Sequence, residues 1–436
     1  MTAAPTSFST LSNKIWFVAS ALVLVMYGWF LSVHALNMPY HDDIYDILRF
    51  ILRVGEADQF GQRFDALMDR HNDHRTAASR LVFYAVYLVQ QVVDFRVLSL
   101  VANLALPLMA LLYWHSVSSP GNRPLALLLV LLLLCHPRYY GLMLWSMSAF
   151  AFYFVCLYSF ASLHFLSKLS PTRFGLALAS ALAVTYSLSS GQLIWLLGIV
   201  ALLWRPGPVP RGYLLSWCLA AVFALWSFHA NFANPNPLGT VLTLLWKTPI
   251  HHARYVLVLL GGGFSFGNVL LAEWLGFVQL IALLLFVYRD RHRGLSTLHL
   301  FGGFLVLASV VLALGRAPYS NLDYAIVPRY SFASVNLSCV LLLLGINSRE
   351  LLTRAQALVV VLMAGGLCVG SYLVYHPLLD THLERRMQLY NKKLFPLYGQ
   401  PRPLTDKVIE SAVKQGIYRP PPRPVLSHRQ QSKHQD

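Results

Sequence analysis

Long apolar runs leave this chain few folds to choose from. Runs at 15–36, 97–114, 144–166, 269–288, 298–314, 332–346 and 358–375 approach or reach the span length. Crossing a bilayer core takes roughly 20 apolar residues. Shorter runs lie at 125–135, 174–188, 193–204 and 213–228. No water reaches the backbone in that core, so only helices or closed barrels cross it. The runs are continuous and Leu-rich rather than alternating, which selects helices. The fold class predicted is an all-α polytopic membrane protein, a bundle of about 11 transmembrane helices. Composition agrees, because only 12% of the 436 residues are charged, against about 25% in soluble domains. The five cysteines (Cys135, Cys156, Cys218, Cys339, Cys368) sit in or beside apolar runs at wide spacings. That pattern is neither a metal motif nor a disulfide framework.

Acids are concentrated in one place. Of 18 Asp and Glu in the chain, eight lie in 37–80: Asp42, Asp43, Asp46, Glu56, Asp58, Asp65, Asp69 and Asp73. The formal net charge is +16, so this concentration runs against the background. It begins where the first apolar run ends. Acids gathered at a membrane exit point to an active site at the water–lipid boundary. Within 37–80 two helices lying on the membrane are predicted. One starts near Asp42 with Ile44, Ile47, Leu48 and Ile51 as its stripe. The other starts near Asp58 with Phe60, Phe64, Leu67 and Met68. Both patterns suit an interfacial helix.

Flanking charge sets the orientation. Lys14 before the first run and the acidic stretch after it put the N-terminus inside and 37–80 outside. Val33-His34-Ala35 has a small resemblance to a signal cleavage site, but the first run is read as a retained anchor. The segment 246–264 opens polar and closes on Gly261-Gly262-Gly263, which reads as a re-entrant or interfacial helix with both ends outside. Parity then places 376–436, a small basic tail, outside as well. The tail carries one amphipathic helix, 405–415, and an extended Pro-rich stretch, 419–424. Residues 1–375 form the transmembrane domain.

Several groups can carry chemistry. One aspartate after Pro39 is an ordinary helix cap; Asp42 and Asp43 together exceed that need. Adjacent carboxylates either raise one pKa or share a cation. Either could serve as general base toward an acceptor hydroxyl, and the pair could hold Mg²⁺ or Ca²⁺. His71-Asn72-Asp73-His74-Arg75 has no zinc spacing. It is either a solvated loop or a substrate site, where Asn72, Asp73 and His74 meet sugar hydroxyls and Arg75 a phosphate. Cations recur at outside ends of runs: Arg138, Lys247, Arg254, Arg316 and Arg329. Each could snorkel to headgroups. Pro328-Arg329-Tyr330 opens a span directly, at a depth suited to a bidentate grip on a lipid-linked phosphate.

A first span leaving into paired acids, followed by a long loop of two interfacial helices, resembles the GT-C superfamily of membrane glycosyltransferases. Asp42-Asp43 matches the acidic motif of their first outer loop. His71-Asn72-Asp73-His74-Arg75 with Arg80-Leu81 resembles an Asn-Glu-His-Arg pattern in bacterial members, with Asp73 in place of Glu. Pro328-Arg329-Tyr330 is similar to the Arg-Tyr start of a late span. The likeness covers about 1–375 as architecture and needs the first helix retained. Small size and a short tail resemble the pilin arabinosyltransferases. The resemblance implies a polyprenyl-phosphate sugar as donor and a glycan, lipid or protein acceptor. It also implies membrane lipids as surroundings, no nucleic acid, and an active site on the periplasmic side of a bacterial inner membrane. Asp43 or Asp42 would deprotonate the acceptor, with inversion at the sugar carbon. Arg329, Tyr330 and Arg138 would attend the leaving phosphate, with Lys247 and Arg254 as further binding candidates. The rivals are a transporter or flippase, which would keep ionisable groups at mid-membrane, a lipid-diphosphate polymerase or ligase, and a non-catalytic assembly protein.

Overall fold

A computed structural model describes residues 8–72, 74–205, 207–230, 238–292, 294–348, 352–391 and 402–421. The chain is an all-α polytopic membrane protein. Among the described residues nine helices are long and apolar enough to cross a bilayer: Asn13–His34, Phe95–His115, Pro120–Met143, Ser146–Ser167, Arg211–His229, Val269–Asp290, Thr297–Tyr319, Pro328–Asn347 and Ala355–Leu389. Two expected spans are shorter helices, Pro171–Thr185 and Leu193–Leu203. Their junction meets the first loop, since Ala78 N–H donates to Tyr186 O at 3.1 Å. The start of the first, Phe174, packs on Tyr213 and Trp217 near the start of the Arg211–His229 helix.

One irregularity has a proline behind it. The Phe95–His115 span breaks at Leu104, because Pro107 has no N–H for the Asn103 carbonyl and its ring crowds it. Pro377 lies inside the Arg354–Asn391 helix. That helix continues through Pro377 and well past Tyr375, where the apolar run ends, so the first part of the expected tail is helical and joined to the last span.

Segment 246–264 takes in the end of one helix, Leu238–Lys247, and the whole of a second, Pro249–Gly261. The second packs tightly on Val269–Asp290. A Cβ on Gly276 would come within 1.8 Å of Leu257 O, and one on Gly261 within 1.9 Å of Ala272 O. Glycine is the residue that admits this approach. His251 Nε2 lies 3.1 Å from Ala317 O and from Ser320 O, and Gly262 O accepts from Arg138. Both ends of the helix thus meet loops at the same end of the bundle.

The first loop differs from two helices resting on a surface. Its first part is a π-helical turn, Ile44–Arg49, running into Phe50–Glu56. Ile44, Ile47, Leu48 and Ile51 are all buried in the main core. The C-terminal helix Arg402–Lys414 packs over this turn and buries Val408 and Ala412. The second part, Phe60–Met68, is capped by a reciprocal Gln59–Gln62 box and shows its stripe outward, with Phe60 83% and Phe64 49% exposed. Three bonds seal the tail onto the start of the loop and onto the turn before Phe95. Tyr418 Oη donates to Asn37 O at 2.9 Å, Asn37 Nδ2 to Arg419 O at 3.1 Å, and Val93 N–H to Ile417 O at 2.7 Å. The expected Pro-rich stretch lies outside the described residues beyond Pro421.

Candidate active site

The acids of the first loop have three different jobs. Asp46 is fully buried. Its Oδ1 accepts from Thr76 Oγ1 at 2.7 Å, Arg80 Nε at 3.0 Å and Arg80 Nη2 at 2.6 Å. Arg80 Nη1 donates onward to the carbonyls of Ala66, Leu67 and Asp69. This ion pair closes the end of the Phe60–Met68 helix onto the π-helical turn.

Asp43 is only 1% exposed. Met147 N–H donates to its Oδ1 at 2.8 Å and Tyr40 N–H to its Oδ2 at 3.0 Å. Met147 is in the first turn of the Ser146–Ser167 helix, so Asp43 caps a helix 104 residues away, while no side-chain bond caps its own. Burial pushes the carboxyl up to about 7. The Met147 N–H, the Arg386 charge and the Tyr40 N–H partly offset burial, and Asp42 adds to the rise.

Asp42 is the water-facing member, its side chain 32% exposed, with Oδ1 3.3 Å from His71 Nε2. It lines a cleft with His71, Asn72, Arg49, Arg53 and Arg70. Burial raises its pKa, but the His71 hydrogen bond and the charges of His71, His41 and Arg329 outweigh that, and the net shift is downward. Burial pulls His71 down, and the Asp42 bond with the charges of Asp46 and Asp42 turns it upward. The two shifts agree on an ion pair.

The polar run after these helices is a tight hairpin. Arg70 pairs with Arg75 and His71 with His74 across a two-residue turn. Asn72 takes φ 51° there, a left-handed conformation that Asn tolerates; Asp73 lies outside the described residues. His71 and His74 nevertheless have different partners. His71 faces Asp42, while His74 Nδ1 lies 2.6 Å from Ser189 Oγ. Arg75 donates to three backbone carbonyls, Phe228 at 2.8 Å and Met68 and Ala230 at 2.5 Å each. It ties the hairpin to the exit of the Arg211–His229 helix.

Arg329, Tyr330 and Arg138 come together with the acid pair at one end of the bundle. The Arg329 guanidinium sits among rings, 5.0 Å from the centroid of Tyr330, 5.6 Å from Tyr324 and 5.9 Å from Trp145. It donates to the Tyr324 hydroxyl. Its buried Nε has no partner among the described residues. Arg138 is buried and donates through Nε and Nη2 to Gly262 O at 2.9 and 2.8 Å, and through Nη2 to Ile326 O at 2.8 Å. It holds the Gly-rich turn against the loop before Arg329. Lys247 is exposed on its own helix. Arg254, also exposed, is held by Glu273 through two bonds of 2.9 Å. Neither touches the acid pair.

Sequence reasoning missed Arg386. It is buried, donates to Leu144 O at 2.7 Å and Met38 O at 3.1 Å, and lies over the Tyr40 ring at 4.5 Å. A signal was present: Leu379, Leu383 and Arg386 follow helical spacing, and the two leucines are buried. His71 was read as one member of a polar run; its part as the partner of Asp42 depends on the hairpin.

Comparison with known proteins gives no family model, curated protein or solved structure that matches this chain.

Proposed function

We propose that the protein is a membrane glycosyltransferase of GT-C type, taking a sugar from a polyprenyl-phosphate donor. The observation that carries this reading is the meeting at one bundle end of a water-facing carboxylate, Asp42, with a guanidinium, Arg329, whose buried Nε has no partner among the described residues. Electrostatics already links the two, since Arg329 helps lower the Asp42 pKa. A base and an anion clamp on one surface are what transfer from a phosphate leaving group requires. The acceptor hydroxyl gives its proton to Asp42 as its oxygen bonds to the sugar's anomeric carbon. The carbon–oxygen bond to phosphate breaks on the opposite face, so the configuration inverts. The bonding pair goes to the phosphate oxygen, and Arg329 holds that charge.

Asp42 takes the base role over Asp43 because Asp43 is enclosed and both its oxygens accept backbone N–H groups. A divalent cation, Mg²⁺ or Ca²⁺, would have Asp42 as its accessible ligand. The architecture that goes with this function has eleven crossings, the two short helices included. The acidic loop lies on the periplasmic face of a bacterial inner membrane. Supporting it, Lys14, Lys168, Arg173, Arg205, Arg211, Arg289 and Arg291 flank spans at the other end, as cytoplasmic cations do. The acceptor is a glycan, a lipid or a protein such as a pilin.

The test is sugar transfer from a polyprenyl-phosphate donor in detergent, normalised to folded protein. Asp42→Asn should lower turnover by roughly 10²-fold or more, the scale of a lost general base. A wild-type rate in Asp42→Asn would remove the mechanism, and no transfer by the intact protein with any such donor would favour a flippase.

A further inference from the structure

Away from the acid pair, three metal-capable side chains converge where the first and last spans leave the bundle. They are His34, at the end of the Phe8–His34 helix, and His376 and Asp380, one turn apart in the Arg354–Asn391 helix. Their ligand atoms all lie within 4.8 Å of one another. His34 Nε2 is 3.3 Å from His376 Nε2. The Asp380 carboxylate reaches both, at 3.8 Å from His34 and 3.7 Å from His376.

Two features separate this cluster from a chance meeting of polar groups. One is the tautomer. His34 Nδ1 sits 2.7 Å from Phe30 O, and a carbonyl can only accept. The Nδ1 proton is thereby fixed, and the Nε2 lone pair points at the cluster. A backbone carbonyl on the far ring nitrogen is the usual orienting partner of a metal-bound histidine. The other is spacing. Two imidazole nitrogens on a tetrahedral Zn²⁺, each roughly 2.0–2.1 Å from the ion, lie about 3.3 Å apart. That is the separation found. The carboxylate has a few tenths of an ångström to close, within reach of an exposed side chain. Phe30 floors the site, its ring 4.3 Å from His34 and 5.5 Å from His376. The side chains of His376 and Asp380 are about half exposed, which leaves a fourth position open to water.

We propose that His34, His376 and Asp380 bind Zn²⁺, with water as the fourth ligand. Two imidazoles and one carboxylate favour zinc over the oxygen-seeking Mg²⁺ and Ca²⁺. The position gives the metal a purpose. Pro377 falls between two of the ligands and interrupts the hydrogen bonding of the last helix. Beyond it the helix carries Arg386 to the acid pair. A metal bridging both sides of Pro377 to the first span fixes the direction of that extension.

The experiment uses the full chain purified in detergent with a non-histidine tag, stripped with chelator and titrated with Co²⁺, then with Zn²⁺. Tetrahedral Co²⁺ gives intense visible ligand-field bands. The expected result is one Co²⁺ per chain with those bands, displaced by stoichiometric Zn²⁺, and a higher melting temperature with Zn²⁺. His34→Gln and His376→Gln should abolish the bands. Asp380→Asn, a surface change that leaves the fold in place, should weaken binding and shift the spectrum. Gel filtration and circular dichroism identify any variant that has not folded. A wild-type chain that takes up no Co²⁺ or Zn²⁺ would overturn the proposal and leave a histidine–histidine hydrogen bond beside an acid. Bands unchanged in folded His34→Gln and Asp380→Asn would place the metal elsewhere and overturn it equally.

Discussion

At the scale of single residues, Asp42 and Asp43 show how far adjacency can mislead. The sequence makes a pair of them and expects one to cap its own helix. In the structure the chain turns between them, so one carboxylate faces the cleft with His71 and the other caps a distant helix. That division depends on Met147 arriving from another span, which no local pattern encodes. It has a consequence for pH. Folding favours the neutral form of Asp43, whose pKa rises from 3.8 to about 7. Its stabilising contribution is complete below the ordinary carboxylate pKa and is lost as pH climbs through about 7. His71 is raised as well, so its contribution is complete below its ordinary 6.5 and is lost going upward. Asp42 is lowered and loses its contribution only when pH falls through its folded value. The melting temperature should therefore fall as pH rises from about 4 through 7, with Asp43 acting across that range and His71 above 6.5, measured by thermal denaturation in detergent. Asp43→Asn should flatten that slope while lowering stability at pH 6 by about 1–3 kcal/mol, because an amide can accept only one of the two N–H groups now facing the carboxylate. An unchanged slope in Asp43→Asn would mean the carboxyl is ionised throughout. Arg329 carries a different prediction. If its planar fork grips phosphate, Arg329→Lys keeps the charge and loses most of the transfer activity, with a raised apparent KM for the donor. Full activity would reduce Arg329 to a ring-packed headgroup contact.

At the scale of elements, the first loop is the part where the sequence was most and least informative. The stripe Ile44, Ile47, Leu48 and Ile51 is readable as one face, and that face is buried. What it packs against was not readable, because the partner is the Arg402–Lys414 helix more than 350 residues later. The helix 405–415 was legible for the same periodic reason, with its start three residues early in the structure. The hairpin at 70–75 was hidden behind its polarity, since a two-residue turn with Asn72 in the left-handed region looks like any polar run. Segment 246–264 was legible as helical and as closing on glycines, but not as the junction of two helices, Leu238–Lys247 and Pro249–Gly261. The loop should stand or fall on the Asp46–Arg80 pair. Both groups are buried, and removing one leaves a charge without compensation, typically a cost of about 3–5 kcal/mol. Asp46→Ala should therefore destabilise the protein on that scale, measured by thermal or denaturant unfolding in detergent, and should expose the loop to limited proteolysis near Gly61. Replacing both members with apolar residues should cost much less than Asp46→Ala. Equal costs for the single and double changes would mean that the pair is not what closes the loop.

At the scale of the whole molecule, parity and contact give the same result by separate routes. Counting spans places the tail on the side of the acidic loop, against the pull of its basic charge. Independently, Tyr418 and Arg419 bond to Asn37, and Ile417 bonds to Val93, so the two segments share one face whichever side of the membrane it is. Cysteines with a membrane-impermeant maleimide can assign that face. Gly61 is exposed on the loop, with no atom within 4 Å of an added Cβ. Lys414 is exposed on the tail helix, and Lys168 is exposed at the other end of the bundle. The native cysteines are free and mostly buried, so background labelling should be low. With the acidic loop outside, Gly61→Cys and Lys414→Cys should react in intact spheroplasts, and Lys168→Cys only after lysis. Labelling of Gly61→Cys and Lys414→Cys only after lysis, with Lys168→Cys open beforehand, would invert the orientation. A donor displayed on the outer leaflet could then not reach Asp42. Opposite labelling of Gly61→Cys and Lys414→Cys would contradict the docked tail itself, and with it the placement of Arg386 beside Asp43.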